Sequence, residues 1–341
     1  MSEHRFIVTG AAGFIGSNLS AELLARHPDA ELLAVDSFRT GASMNLTTAA
    51  RRRGLAGFSG TVLPDAVAEI EWDELLASFE PSAVFHLGAI TDTTIADESE
   101  MIRENAGDSW AWLLRSAVAR EIPLVYASSA ATYGTPPQAA SRRPFPEDAA
   151  GEPNNVYGFS KWLMEQEHER LDRECARHGL KRPAVVGLRY FNVFGPGEGA
   201  KGKMASIARQ LTLQMLGGGR PRLFEDGTQT RDQVSVHDIV SQTIAAAGLG
   251  ERPDPEPGVY NAGSGRGTSF EGVAQACRDG LNLPDRPTDF FPMPAEIARF
   301  YQDFTLADMS RARAGLGFVP SHAPAEAVAA YAAGLAQEST D

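Results

Sequence analysis

The sequence predicts an α/β fold: a Rossmann-like doubly wound parallel sheet with a smaller, interleaved C-terminal α/β substrate domain. Three features carry that expectation. Short apolar runs alternate with helical stretches, the first run leads into a glycine-rich turn, and beyond Asn192 the pattern breaks into shorter segments punctuated by glycine and proline. In order, Arg5 to Thr9 reads as a buried strand around Phe6-Ile7-Val8, followed by a helix from Phe14 to Arg26. Glu31 to Val35 is a second strand ending at Asp36, and residues 37–60 read as irregular, rich in Gly, Ser, Thr and Arg. Ala83 to Leu87 and Leu124 to Ala127 are further strands, and Val156 to His178 is a long amphipathic helix stopped by Gly179. Ala184 to Tyr190 is the next buried strand, and the alanine-rich stretch from Ala323 to Ala336 a terminal helix.

Composition narrows the function. The 341 residues suit one large or two intimate domains, and 43% hydrophobic with 22% charged residues is enough for a core. A formal charge of −13 argues against a nucleic-acid binder. The one basic run, Arg51 to Arg53, reads as a solvated face. Cys175 and Cys277 lie far apart without metal-ligand spacing, which implies reduced thiols and no disulfide framework. No metal is expected. His168 stands among Glu165, Glu167 and Glu169 and reads as part of a wet helix face. With no signal-peptide pattern and no apolar run of membrane-spanning length, the expectation is a soluble cytoplasmic protein with no membrane partner.

The cofactor signal is the run Thr9-Gly10-Ala11-Ala12-Gly13-Phe14-Ile15-Gly16. Glycine is needed where the backbone turns tightly, where a pyrophosphate meets the main chain, and where a helix packs on a strand. Phe14 and Ile15 open a helix whose free N–H groups and dipole suit phosphates. Asp36, twenty residues beyond Gly16, is placed to accept hydrogen bonds from an adenosine ribose and favours NAD by its charge. Arg39 would instead neutralise a 2′-phosphate and favour NADP, so the residues leave both cofactors open.

Tyr157 and Lys161 are four apart at the start of the long helix and so share a face. An ammonium near the phenol would lower its pKa and make a general base for a sugar hydroxyl. Ser129 ends a parallel strand, where α/β enzymes put their chemistry, and is expected to hold the reacting oxygen beside Tyr157.

Together the glycine loop, Phe85-His86-Leu87-Gly88-Ala89, the serine strand and the Tyr-Lys pair resemble the extended short-chain dehydrogenase/reductase family, over essentially the whole chain. The resemblance implies a cofactor domain of residues 1–191 and about 231–263, with a substrate domain of about 192–230 and 264–335. It also implies further cofactor contacts from Ser37, Leu87, Gly88, Ala89 and Asn105. The 4,6-dehydratases of that family carry an Asp-Glu pair where this chain has Ala130-Ala131, and the related decarboxylases a glutamate at the second position. Both branches are therefore disfavoured, leaving an epimerase or a simple redox enzyme.

Downstream, the stretch from Arg189 to Ser206, which includes Lys201-Gly202-Lys203-Met204-Ala205-Ser206, resembles the ADP-glycero-manno-heptose 6-epimerases. So do Pro221 to Glu225 and Tyr301 to Thr305. That resemblance implies a nucleotide-sugar substrate, ADP-heptose, tightly bound NADP (NAD the alternative), a homo-oligomer, and a role in lipopolysaccharide core assembly. By it Lys201 is a second catalytic acid/base, Asn192 contacts substrate, Arg231 holds the diphosphate, and Phe224 and Tyr301 line the nucleotide-sugar pocket. Gln210 and Lys203 replace residues the family more often carries, as do Gly197 and Ala200, which puts nucleotide and sugar in question more than the chemistry. The alternatives are a UDP-hexose 4-epimerase or nucleotide-sugar reductase and, from another class, a protein that senses NAD(P) without catalysis.

Overall fold

A computed structural model describes residues 4–92, 97–181, 184–294 and 301–338. The chain order of strands is β1 (Arg5–Thr9), β2 (Glu31–Val35), β3 (Thr61–Leu63), β4 (Ala83–His86), β5 (Leu124–Ser129), β6 (Val185–Tyr190), β7 (Asn192–Phe194), β8 (Arg222–Phe224), β9 (Thr230–Ser235), β10 (Gly258–Ala262), β11 (Gly267–Ser269) and β12 (Asp289–Phe291). The helices are α1 (Phe14–Arg26), α2 (Ser43–Arg52), α3 (Trp72–Phe79), α4 (Glu98–Ala106), α5 (Asp108–Ala119), α6 (Pro137–Ala140), α7 (Val156–Arg177), α8 (Ile207–Leu216), α9 (Val236–Ala246), α10 (Phe270–Leu281), α11 (Ser310–Leu316) and α12 (Pro324–Glu338).

Seven strands form one parallel sheet in the order β10-β6-β5-β4-β1-β2-β3. The chain runs outward from β1 through β2 to β3, then returns to place β4 on the other side of β1. The order therefore reverses between β1 and β4, and ligands of open α/β sheets bind in the crevice at such a point. The central strands are near-continuous apolar runs buried on both faces, as a parallel sheet between helices requires. Two apolar layers result, one around Phe6, Phe85 and Val186 and the other around Ile7, Val84 and Trp110.

A three-stranded sheet, β11-β9-β7, and a two-stranded one, β12-β8, lie outside the main sheet. Their helices α8, α10 and α12 close a third apolar cluster around Leu211, Val273 and Val328. No helix among the described residues is long and apolar enough to cross a membrane.

Two expectations need correcting. Residues 37–60 are not wholly irregular, because α2 forms within them. Its Ser, Thr and Asn content hides the signal, but Leu46, Ala49 and Ala50 make a buried stripe that packs against α1. His168 is not on a wet face: its ring is buried, with Nδ1 3.2 Å from the Tyr126 hydroxyl and Nε2 3.8 Å from Asp172. Of the basic run, Arg52 pairs with Glu338 and Arg53 with Glu22.

Candidate active site

At the switch point β1 ends in Gly10, whose φ of +65° lies in the left-handed region that favours glycine. A Cβ there would stand 2.8 Å from the Gly88 nitrogen, so the two loops approach too closely for a side chain. A Cβ on Gly16 would collide with the Gly10 carbonyl oxygen. Gly13 is the N-cap of α1 and supplies no side-chain cap. The first turn of α1 thus meets a floor of bare backbone, which is what a pyrophosphate needs. Leu87 and Ala89 flank Gly88 in the facing loop, half-buried, and Ile15 packs beneath.

Asp36 is buried at the end of β2, and its carboxylate accepts the Ala12 N–H and the Phe38 N–H, each at 2.8 Å. It thereby shapes the glycine loop. Ser37 and Arg39 are exposed beside it, and the Arg39 guanidinium pairs with Glu100 of α4 at 2.7 Å. Asn105 is placed differently from the expectation of a cofactor contact. Its amide accepts from Ile90 N–H and donates to Ile90 C=O and the Ser160 hydroxyl, so it clamps the facing loop to α7 from below.

On the other side of the crevice β5 ends at Ser129, which opens a short 3₁₀ turn by accepting the Ala131 N–H at 3.1 Å. Tyr157 is the second residue of α7, whose N-cap Asn155 accepts the Gly158 N–H at 2.8 Å. The Ser129 side chain lies close enough to Tyr157 to act on its phenol. Burial raises the Tyr157 pKa, and Ser129 partly offsets it. Lys161 is buried one turn on, donating to the Met164 sulfur at 3.7 Å. Burial pulls its pKa down to about 7, with Glu165 opposing. The expectation that Lys161 lowers the Tyr157 pKa is therefore corrected. Desolvation acts on both groups in the opposite sense, and Lys161 lies against sulfur.

Beneath these residues lies a network that sequence reading missed. Ser128, one residue from Ser129 and facing the other way, hydrogen-bonds Glu165, and Glu165 takes Arg189 in two contacts, 2.9 and 2.7 Å. Arg189 continues to the Tyr133 hydroxyl at 3.2 Å, and Tyr133 donates to Asn261 at 2.7 Å. Strands β5, β6 and β10 and helix α7 are thus tied together under the Ser-Tyr pair. The signal available was the stripe Lys161, Met164, Glu165, His168, Cys175, all buried at helical spacing although three of the five carry polar groups.

Lys201 sits in the loop between β7 and α8, half-buried, with its ammonium 5.5 Å from the Phe14 ring centroid. The structure thereby brings it to the opening of the cofactor helix. Burial lowers its pKa, opposed by Glu198. Phe224, Tyr301 and Arg231 come together as a third group: Phe224 and Tyr301 meet edge-on at 6.0 Å, and the buried Arg231 lies 5.2 Å over the Tyr301 ring. Beside Arg231, Asp232 accepts from Ser264 N–H and Oγ, Gly265 N–H and Ala307 N–H, fixing β9 to the segment that carries Tyr301. Burial pushes its pKa up to about 6.

The remaining sequence candidates are more peripheral. Asn192 is exposed at the start of β7, as is Lys203. Gln210 is exposed too, its amide donating to the carbonyls of Ala205 at 2.8 Å and Lys203 at 3.4 Å. It braces the Lys201 loop from behind. Among the described residues no group of three or more His, Cys, Asp or Glu side chains is arranged to hold a metal ion.

Known proteins share this fold. The chain is 39% identical over 317 residues to an ADP-L-glycero-D-manno-heptose-6-epimerase of Alkalilimnicola ehrlichii, with 90% of each chain covered. The crystal structure of the Helicobacter pylori ADP-L-glycero-D-manno-heptose-6-epimerase superposes with a TM-score of 0.79 at 28% identity, covering 97% of this chain and 95% of that one. The fold also matches a UDP-glucose-4-epimerase from Stenotrophomonas maltophila with bound NAD, with a TM-score of 0.81 at 22% identity over 99% of both chains. Residues 6–263 match the NAD dependent epimerase/dehydratase family, and the chain belongs to that family.

Proposed function

We propose that the protein inverts C6 of the sugar in ADP-D-glycero-D-manno-heptose, giving the L-glycero epimer, with a tightly held NADP. The observation that carries this reading is a second lysine, the half-buried Lys201, brought to the Phe14 ring at the start of the cofactor helix, in addition to a Ser-Tyr-Lys set that already suffices for simple redox chemistry. The relative from A. ehrlichii supports the choice of substrate by its name and its 39% identity.

The carbon to be inverted is a secondary carbinol whose C–H is not acidic, so inversion requires oxidation first. The bound nicotinamide supplies a hydride acceptor and, on return, its donor. The protein handles protons and position. Ser129 holds the C6 oxygen in hydrogen-bond reach of Tyr157. One of Tyr157 and Lys201 takes the hydroxyl proton as C6 becomes a ketone. After the sugar end turns over, the other returns a proton to the oxygen as hydride enters the opposite face of C6. Burial raises the pKa of the Tyr157 phenol and lowers that of the Lys201 ammonium, which brings the proton affinities of the two groups toward each other. Phe224 and Tyr301 would line the nucleotide-sugar pocket and Arg231 would take the diphosphate.

Because hydride leaves and returns, complete conversion of substrate should leave the nicotinamide absorbance unchanged. A reductase would instead consume external NADPH mole for mole, and that result would refute the epimerase reading.

A further inference from the structure

The loop from Gly195 to Ser206 carries Lys201 yet has little regular structure of its own. Gly197 (φ +100°) and Gly202 (φ +52°) break it, and its helical turns are short. One side chain answers both of its ends. Glu198 is wholly buried, and its carboxylate accepts the Gly195 N–H at 3.3 Å, the Ser206 N–H at 2.6 Å and the Ser206 hydroxyl at 2.7 Å. A buried carboxylate is costly unless it is so satisfied.

Each end is also fixed to something rigid. Ser206 caps α8, its Oγ accepting the Arg209 N–H at 3.2 Å. Next to Gly195, the Pro196 carbonyl accepts from Asn18 of the cofactor helix at 2.9 Å. The loop is therefore a short span closed on Glu198, with Lys201 near its middle.

We propose that Glu198 is the positioning residue for Lys201, closing the loop on itself so that the ammonium is presented over the cofactor helix. This deepens the reading of Lys201 as an acid/base and rests on it. Glu198 is also the negative charge that sustains the lysine's ammonium against burial. The other charged or titratable groups around the loop are the exposed Lys203 within it and Arg209, Tyr331, Arg52 and Glu338, which line a cavity of about 160 Å³ behind Gly199 and Ala200.

The test uses the full-length holoenzyme with ADP-D-glycero-D-manno-heptose, comparing wild type, Glu198→Gln and Lys201→Met by pH–rate profile and by hydrogen exchange over residues 195–206. Glu198→Gln should lower kcat roughly tenfold or more, the scale of a lost hydrogen bond to a charged group. It should also move to lower pH the limb that Lys201→Met removes, because the charge that raises the lysine's pKa is gone, and it should speed exchange at Gly195 and Ser206. If Glu198→Gln keeps the wild-type rate and limb while Lys201→Met is inactive, the positioning role is refuted and the function stands. If Lys201→Met turns over at the wild-type rate, the acid/base role of Lys201 is refuted, and the inference with it; if the wild-type protein does not turn over this substrate at all, it is the proposed function that fails. Should Glu198→Gln fail to fold, Ser206→Ala, which removes one donor to the carboxylate, must still lower kcat and speed exchange at Gly195. An unchanged Ser206→Ala would overturn the proposal.

Discussion

The ammonium of Lys201 stands 5.5 Å from the centre of the Phe14 ring, joining the loop unique to the substrate side to the first residue of the cofactor helix. With the Asn18–Pro196 hydrogen bond, it makes α1 and the Lys201 loop a single body.

Two acid/base groups imply a specific loss pattern. Tyr157→Phe and Lys201→Met should each lower kcat by about 10²-fold or more, the usual scale of general acid–base catalysis. The double variant should be inactive while still binding cofactor, as read by fluorescence titration. Wild-type turnover by the double variant would remove both residues from the mechanism.

The buried Glu165–Arg189 pair supports the Ser129 strand from below. Glu165→Ala leaves a guanidinium buried without its carboxylate and should cost about 3–5 kcal/mol of stability. Burial lowers the Arg189 pKa, and the Glu165 carboxylate more than offsets it with help from Tyr133. Denaturant unfolding checks the size, and a variant as stable as wild type would contradict the role assigned to the network.

Arg39 tests the proposed preference for NADP. A 2′-phosphate offers a stronger charge-assisted partner than the exposed Glu100 carboxylate, so NADP should draw Arg39 from that pair. Arg39→Ala should weaken NADP binding roughly tenfold and leave NAD nearly unchanged, while Glu100→Gln should favour NADP. Isothermal titration with both cofactors decides it, and equal losses for both would show that Arg39 does not read the phosphate.

Lys161 gives a pH signature. Its folded pKa, about 7, lies below the ordinary value of about 10.4. Between those values the unfolded chain binds more protons, so stability rises with pH through that window, and the burial penalty is full below it. In cofactor-free protein, Lys161→Met should therefore raise the melting temperature most near neutral pH, with the advantage shrinking as pH approaches 10. A difference independent of pH would contradict the burial of a charged lysine there.

How much of this was legible in the residues follows from the kind of signal each left. The glycine loop, Asp36 and the Tyr157–Lys161 spacing are local patterns, and the main-sheet strands are plain apolar runs, so all were readable. The α2 helix escaped because its buried residues are one leucine and two alanines among Thr, Asn and Ser. Glu165, Arg189, Asn261 and Asp232 escaped for a different reason. Each is a polar residue buried by partners far away in sequence, such as Glu165 with Arg189 and Asp232 with Ala307, and no local pattern marks a charge as buried. The same blindness made His168 look wet. Asn105 shows the converse: its position beside the cofactor loop was readable, but only the bonds to Ile90 and Ser160 reveal that its amide faces the protein.

The central claim is epimerisation at C6 with a resident cofactor. The measurement that tests it most directly is proton NMR of the purified protein with ADP-D-glycero-D-manno-heptose and no added nicotinamide. The account predicts growth of the L-glycero epimer to equilibrium; an unchanged spectrum from protein shown to hold its cofactor would contradict it.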